Sequence, residues 1–259
     1  AVTVAAMADA AYATYGKFSG ATHEGMRHGS GKYTWSNGFY SYDGEWSAGF
    51  MHGQGKLSLA DGSSYEGAFA HGEMSGAGLR RFADGGSYSG QFVDGELHGQ
   101  GTYIGATGEQ YEGGYERNRR HGQGTLVTPA GDRYIGSFAA HRRSGEGAVR
   151  TAAGDEYAGE WRDNAEHGVG RMAWAGGEVY SGAWREGVPN GRGAFFRDEG
   201  FTAAEAELEG GKLVRGATHL LAEPYVAPPS TLRLVALATW GASLHAGAEL
   251  RFRARLGDG

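Results

Sequence analysis

Along Tyr88-Ser89-Gly90-Gln91-Phe92 the chain alternates a large or small nonpolar residue with a polar one. That period of two belongs to a strand with one packed face. The phrase returns with its leading aromatic at Phe18, Tyr42, Tyr65, Tyr88, Tyr111, Tyr134, Tyr157 and Tyr180, in steps of 23 residues except for a first step of 24. Counting each unit from that aromatic, position 3 is glycine in all eight: Gly20, Gly44, Gly67, Gly90, Gly113, Gly136, Gly159 and Gly182. Position 5 is Thr22 in the first unit and then Trp46, Phe69, Phe92, Tyr115, Phe138, Trp161 and Trp184, the structural aromatics of the repeat. Positions 12, 14 and 16 carry the same logic onto a second strand, as in Gly99, Gly101 and Tyr103. Glycine inside a strand marks the close approach of another group. The expected visitor is a ring from a neighbouring strand or unit.

Between the two strands, position 8 is Gly25, Gly49, Gly72, Gly95, Asn118, His141, Asn164 or Gly187. These residue types tolerate positive φ, as a hairpin turn requires. Position 21 is glycine in every unit, preceded by turn formers at Asn37-Gly38, Asp61-Gly62 and Asp84-Gly85. The repeat therefore predicts strand, tight turn, strand, tight turn. The expected fold is all-β: an elongated single-layer antiparallel meander of tandem β-hairpins with short terminal caps. About 16 strands at ~4.8 Å spacing would extend roughly 75 Å. Each hairpin is marginal alone and gains stability by stacking on its neighbours. Burial of one aromatic contributes about 2–3 kcal/mol to that stacking.

This pattern resembles the MORN repeat, approximately Y-x-G-x-W-x-x-G-x-x-H-G-x-G. The second unit, YDGEWSAGFMHGQG, and the fourth, YSGQFVDGELHGQG, match it at nearly every marked position. The first unit departs at Phe18 and Thr22, and the sixth at His141 and Ser144. The resemblance implies an array used for interaction, in ciliary radial spokes, cytoskeletal scaffolds or membrane junctions, or beside lipid-kinase and SET-methyltransferase domains. It implies a non-catalytic scaffold docking several proteins of a multi-subunit assembly, in a ciliary axoneme or the cytoskeleton. The rival expectation is a peripheral membrane module binding acidic phospholipids, or a soluble accessory subunit of an organellar membrane complex.

Composition narrows this further. The 259 residues include 49 glycines, 14 tyrosines, 11 phenylalanines and 6 tryptophans. Disordered chains lack aromatics, and collagen needs glycine at every third place. Net charge is −6 with a pI near 5.9, so nothing draws the chain toward nucleic acid. There is no cysteine, which removes disulfides, thiolate metal sites and cysteine nucleophiles. The most apolar run, Leu234 to Leu244, is short of the ~20 residues of a spanning helix, so no transmembrane segment is expected. The start at Ala1, without an initiator Met, reads either as a processed chain or as one recorded from a mature end.

Four regions follow. Residues 1–17 form a tail or cap whose Tyr12 and Tyr15 could cover the first unit. The eight repeats occupy 18–200, and 201–221 is a degenerate hairpin cap. Residues 222–259 begin with a proline-containing linker and end in a C-terminal β segment with the alternation of Leu250 to Leu256. That tail is too short for a lipid-kinase or SET catalytic domain. The end strands leave room for pairing with a second copy.

Candidate chemistry is sparse. Position 11 carries His28, His52, His98, His121 and His167, but equivalent residues two strands apart lie about 9–10 Å from one another. Ligands of one zinc must each reach ~2 Å, so a structural role near the turn is expected and no metal or other cofactor. The Gly-x-Gly pairs, such as Gly122 and Gly124, precede no helix and are not phosphate loops. One charged cluster stands out. Arg117, Arg119, Arg120, Arg142 and Arg143 gather around the turns of units five and six, between Glu73, Asp94 and Glu96 on one side and Asp163 and Glu166 on the other. The plain reading is a solvated turn edge. The functional reading is a docking edge for an acidic protein surface or for anionic lipid headgroups.

Overall fold

The computed structural model describes residues 16–36, 38–197 and 204–217. Every regular element among them is a strand. They are β1 (Gly16–His23), β2 (Met26–Trp35), β3 (Ser41–Ser47), β4 (Phe50–Ser58), β5 (Ser64–Ala70), β6 (Glu73–Arg81), β7 (Ser87–Val93), β8 (Glu96–Ile104) and β9 (Gln110–Glu116). There follow β10 (Arg119–Val127), β11 (Arg133–Ala139), β12 (Arg142–Arg150), β13 (Glu156–Arg162), β14 (Ala165–Ala173), β15 (Glu178–Arg185), β16 (Val188–Arg197), β17 (Ala204–Glu209) and β18 (Lys212–Ala217). Described residues up to 145, with 149–153 and 162–164, form one compact unit; 146–148, 154–161 and those from 165 onward form another. Within the first, β1 to β11 pair in chain order, each antiparallel to its neighbours. Within the second, β14 to β18 do the same. The expected tail up to residue 15, the linker from 222 and the C-terminal β segment lie outside the described residues.

The turns alternate between two designs. The first turn of every repeat holds positions 7 and 8 both at positive φ, as at Asp94 (48°) and Gly95 (78°) or Arg117 (49°) and Asn118 (65°). Two such residues make the type I′ turn whose twist suits a two-residue hairpin. The second turn closes with an amide bonding four residues on, as in Leu59 N–H to the Ser63 carbonyl at 2.9 Å, with Gly62 in the left-handed region. In the first repeat the corresponding bond runs from Trp35 to Tyr40, so the extra residue of the 24-residue step sits in that turn.

The core is built from rings lying on glycines. Position-3 and position-14 glycines pair across strands, for example Gly90 with Gly101 and Gly101 with Gly113. Over them lies the tyrosine of position 1: a methyl on Gly101 would stand 2.3 Å from the Tyr88 hydroxyl. Each of the seven leading tyrosines donates that hydroxyl to the backbone carbonyl three residues on, at 2.9–3.1 Å. The tyrosines also stand edge-to-face against the position-5 rings of their own and the next repeat. From Tyr42 to Tyr134 the alternation with Trp46, Phe69, Phe92, Tyr115 and Phe138 runs at 4.9–5.2 Å between centroids. In the second unit Trp161, Tyr157, Trp184 and Tyr180 continue the same motif at 5.1–5.5 Å. Tryptophan adds one bond. Trp46, Trp161 and Trp184 donate their indole N–H to Gly31, Gly147 and Gly170, the position-14 carbonyl of the preceding repeat. The leading tyrosines are 0–2% exposed, so one sheet layer buries its aromatics by stacking them on each other.

Position-12 glycines, expected to make room for a ring, do something else. They adopt positive φ, as Gly53 (56°) and Gly99 (59°) do, at a bulge where the register skips between the paired strands. Left-handed backbone, not the approach of a ring, selects glycine there; the groups nearest Gly53 and Gly99 are the ends of the Glu45 and Gln91 side chains. The hairpin β17–β18 shows the converse. It keeps two glycines, Gly210 and Gly211, in its turn, but it has Ala204 where the tyrosine stood. Its position 3 is then buried Ala206 rather than glycine, paired with Gly193.

Candidate functional site

Position 10, the second residue of the returning strand, decides where the arginines point. In repeats two to four it is Met51, Met74 and Leu97, all buried against the rings. In repeats one, five and six it is arginine, and the guanidinium takes over the packing role. Arg27 lies 4.5 Å from the centre of Trp46 and 4.6 Å from Tyr33. Arg120 lies 5.5 Å over Tyr111 and 5.9 Å from Phe138, and pairs with Glu109 at 3.0 Å. Arg143 lies 5.6 Å over Tyr134 and donates to the Asn164 carbonyl at 2.8 Å. A planar cation over an aromatic face is favourable and covers the ring with its apolar stem.

The five arginines of the candidate edge thus divide. Arg120 and Arg143 are built into the stack. Arg142 is exposed and bonds Asp163 at 2.9 Å across to the next turn. Arg117, at positive φ in the turn itself, and Arg119, at the start of β10, are exposed. Among the described residues these last two form no ion pair, which leaves two cations directed at solvent. Met51, Met74 and Leu97 are the sequence signal that position 10 faces inward, masked by the arginines of repeats one, five and six. The bulge at position 12, which shifts the alternation by one residue, is its structural cause.

Adjacent turns are fastened together. The position-8 amide of each repeat donates to the position-10 carbonyl of the one before, as Gly95 does to Met74 at 2.9 Å and Asn118 to Leu97 at 3.0 Å. Where position 8 is not glycine, its side chain returns the bond. Asn118 Oδ1 accepts from Leu97 N–H at 2.9 Å, Asn164 Oδ1 from Arg143 N–H at 2.9 Å, and His141 Nδ1 from Arg120 N–H at 3.4 Å. Partial burial, with Arg120 and Arg119 beside it, pushes the His141 imidazole below its ordinary value, while Glu109 opposes the shift. A neutral imidazole is the form that can accept this bond.

Three of the five position-11 histidines serve through their backbone, while the His121 imidazole lies 3.5 Å from Glu116. The carbonyls of His52, His98 and His167 accept second bonds from Tyr42, Tyr88 and Tyr157 at 3.2–3.4 Å. Among the described residues no three histidine, aspartate or glutamate side chains converge as metal ligands. An open depression is lined by Gln54, Glu66, Ala77, Ser89 and Gln91 over Gly67, Gly78 and Gly90; its carboxylate, Glu66, and its hydroxyl, Ser89, stand two strands apart across Leu79, and Glu66 lies 3.8 Å from Lys56. No helix among the described residues is long and apolar enough to cross a membrane.

With this geometry in view, comparison with known proteins finds the MORN repeat model matching residues 16–39, 42–64, 65–87, 88–110, 111–133, 157–179 and 180–200. Residues 134–156, the sixth unit, fall outside those matches, yet they carry the same turn, ring and tyrosine bond. Among solved structures, the chain is similar to the TCP domain of Drosophila melanogaster SAS-4 (dCPAP), in complex with a proline-rich motif of Ana2. That alignment has 14% identity over 66% of this chain and 92% of that one, with a TM-score of 0.39. The G-box domain of the microcephaly protein CPAP aligns at 12% identity over 79% of this chain and 97% of that one, with a TM-score of 0.36. Superpositions this loose carry no argument about function.

Proposed function

The chain belongs to the MORN-repeat family, and from that premise we propose that it is a non-catalytic scaffold that docks protein partners in a cytoskeletal assembly, in the manner of a ciliary axoneme subunit. The repeats form an interaction module in which every recurring residue serves the fold, as ring, ring seat, turn, bulge or cap. Departures from the repeat therefore mark what is particular to this chain. The observation that carries the proposal is the turn of repeat five. It presents Arg117 and Arg119 to solvent, with Arg142 on the adjoining turn, from a backbone held by hydrogen bonds on both sides. Exposed cations on a fixed backbone favour an acidic protein segment, because only the side chains are left to be ordered on binding.

The test compares affinity capture by the wild-type chain with capture by R117E/R119E/R142E, read by quantitative mass spectrometry in moderate salt without detergent. Arg120 and Arg143 stay intact in the variant because they hold the stack. A defined set of proteins, lost in the variant and enriched in acidic segments, is the expected result. Equal capture by both chains refutes the docking edge. Co-sedimentation with anionic vesicles that the same variant abolishes, without any protein lost, would transfer the edge to a membrane surface.

A further inference from the structure

Turns four and five carry opposite charges at the same two positions. Position 7 is Asp94 in repeat four and Arg117 in repeat five, and position 9 is Glu96 and then Arg119. Nowhere else among the eight first turns does a doubly acidic pair adjoin a doubly basic one. The two turns are also fastened by three bonds. Asn118 N–H donates to the Leu97 carbonyl at 3.0 Å, Leu97 N–H to Asn118 Oδ1 at 2.9 Å, and Asn118 Nδ2 to Glu96 Oε1 at 3.1 Å. Asp94, Arg117 and Arg119 are exposed, and among the described residues no ion pair joins the acids to the bases within the chain. The result is a fixed four-charge block, two negative and two positive, with its halves one repeat apart.

A block of this kind is complementary to itself. We propose that this edge pairs with the same edge of a second copy of the chain, about a two-fold axis passing between turns four and five. That operation sets Asp94 and Glu96 of each copy against Arg117 and Arg119 of the other, as an isologous contact requires. A copy matches both signs at the right separation, about 9–10 Å for two strands. A wholly acidic segment matches only half and is repelled by the rest. The inference stands apart from the acidic partner proposed above, with which a second copy would compete for Arg117 and Arg119. An edge contact buries much less than the ~1,600 Å² of a standard interface, so pairing is weak, reversible and sensitive to salt.

The test uses two charge variants of the full chain in sedimentation velocity at low ionic strength. D94K/E96K makes both turns basic, and R117E/R119E makes both acidic. Each keeps a backbone the repeat already tolerates, although D94K/E96K gives up the Asn118 Nδ2–Glu96 bond and leaves the other two between these turns. Glu24 and Glu186 occupy position 7 at the same φ as Arg117, and Glu73 and Glu96 occupy position 9. Wild type should show a sedimentation coefficient that rises with concentration and falls back as salt is added. Each variant alone should lose that rise, and an equimolar mixture should regain it as a one-to-one complex. A wild type that stays monomeric at low salt overturns the proposal. So does a single variant that still self-associates, or a mixture of folded variants that does not. D94K/E96K keeps all five arginines, so captured acidic partners should survive in it. Loss of self-association and loss of partner docking are thereby told apart.

Discussion

Gly101→Ala isolates the relation between ring and glycine. The added methyl would lie 2.3–2.4 Å from the hydroxyl and two ring carbons of Tyr88, and those are its three nearest atoms. Ordinary contact begins at 3.4 Å, so the ring must retreat by about 1 Å. Retreat lengthens the hydroxyl bonds to the Gln91 and His98 carbonyls and opens the edge-to-face contacts with Phe92 and Tyr115. Overpacking costs about 1–3 kcal/mol, a hydrogen bond about 1 and each aromatic pair about 0.5–1.5. Alanine returns about 0.5–1 kcal/mol of backbone entropy. The net expectation is a loss of about 2–6 kcal/mol. Tyr88→Ala should lose a comparable ~3–5 kcal/mol by emptying the site. The double variant decides the matter. With the ring gone the three atoms nearest the methyl are gone too, so the pair should cost about what Tyr88→Ala costs alone. Urea denaturation of the four proteins, followed by tryptophan fluorescence and circular dichroism, gives the cycle. Additive losses would refute the claim that glycine is there for the ring.

Two other outcomes follow from the same geometry. Asn118 combines positive φ with two side-chain bonds to the neighbouring turn, so Asn118→Ala should cost about 2–3 kcal/mol. Asn118→Gly, free of the backbone strain, should cost about 1 by the same denaturation, and equal losses would remove φ from the account. Burial pushes the hydroxyls of Tyr65, Tyr88 and Tyr111 up to about 12, against an unfolded value near 10. Their stabilising share is whole below about pH 10 and is lost as pH climbs toward 12. Tyrosinate absorbance from these rings should therefore appear together with loss of the sheet signal. Smooth titration near pH 10 with the sheet intact would contradict their burial.

Much of this fold was legible because each recurring residue type has one dominant physical cause. Tyrosine at position 1 and aromatics at position 5 read as a packed face, and they are. Gly, Asn and His at position 8 read as turn residues, and each has positive φ. Position 7 escaped notice. Glu24, Ala48 and Arg117 are not types that advertise left-handed backbone, and the partner at position 8 imposes it on them. Position 12 misled for a related reason. A glycine seated under a ring and a glycine in a bulge are the same letter, and only the register distinguishes Gly99 from Gly101.

The candidate edge was legible in composition and illegible in direction. Five arginines near two turns is a fact of sequence, but a side chain's destination depends on strand parity, and the bulge changes that parity by one residue. Position 10 therefore faces the rings, and arginine there competes with methionine and leucine for the same place. Arg120 and Arg143 compete successfully, since a guanidinium can cover a ring and still reach Glu109 or the Asn164 carbonyl. Lysine would leave the ring edge open and its ammonium poorly placed. The charge that remains for recognition then belongs largely to turn positions 7 and 9, where the fold asks for a tolerable φ and ties the side chains at most to a neighbouring turn. Those positions can change sign from one repeat to the next without disturbing the stack. In an array this repetitive, specificity is written where the repeat demands least.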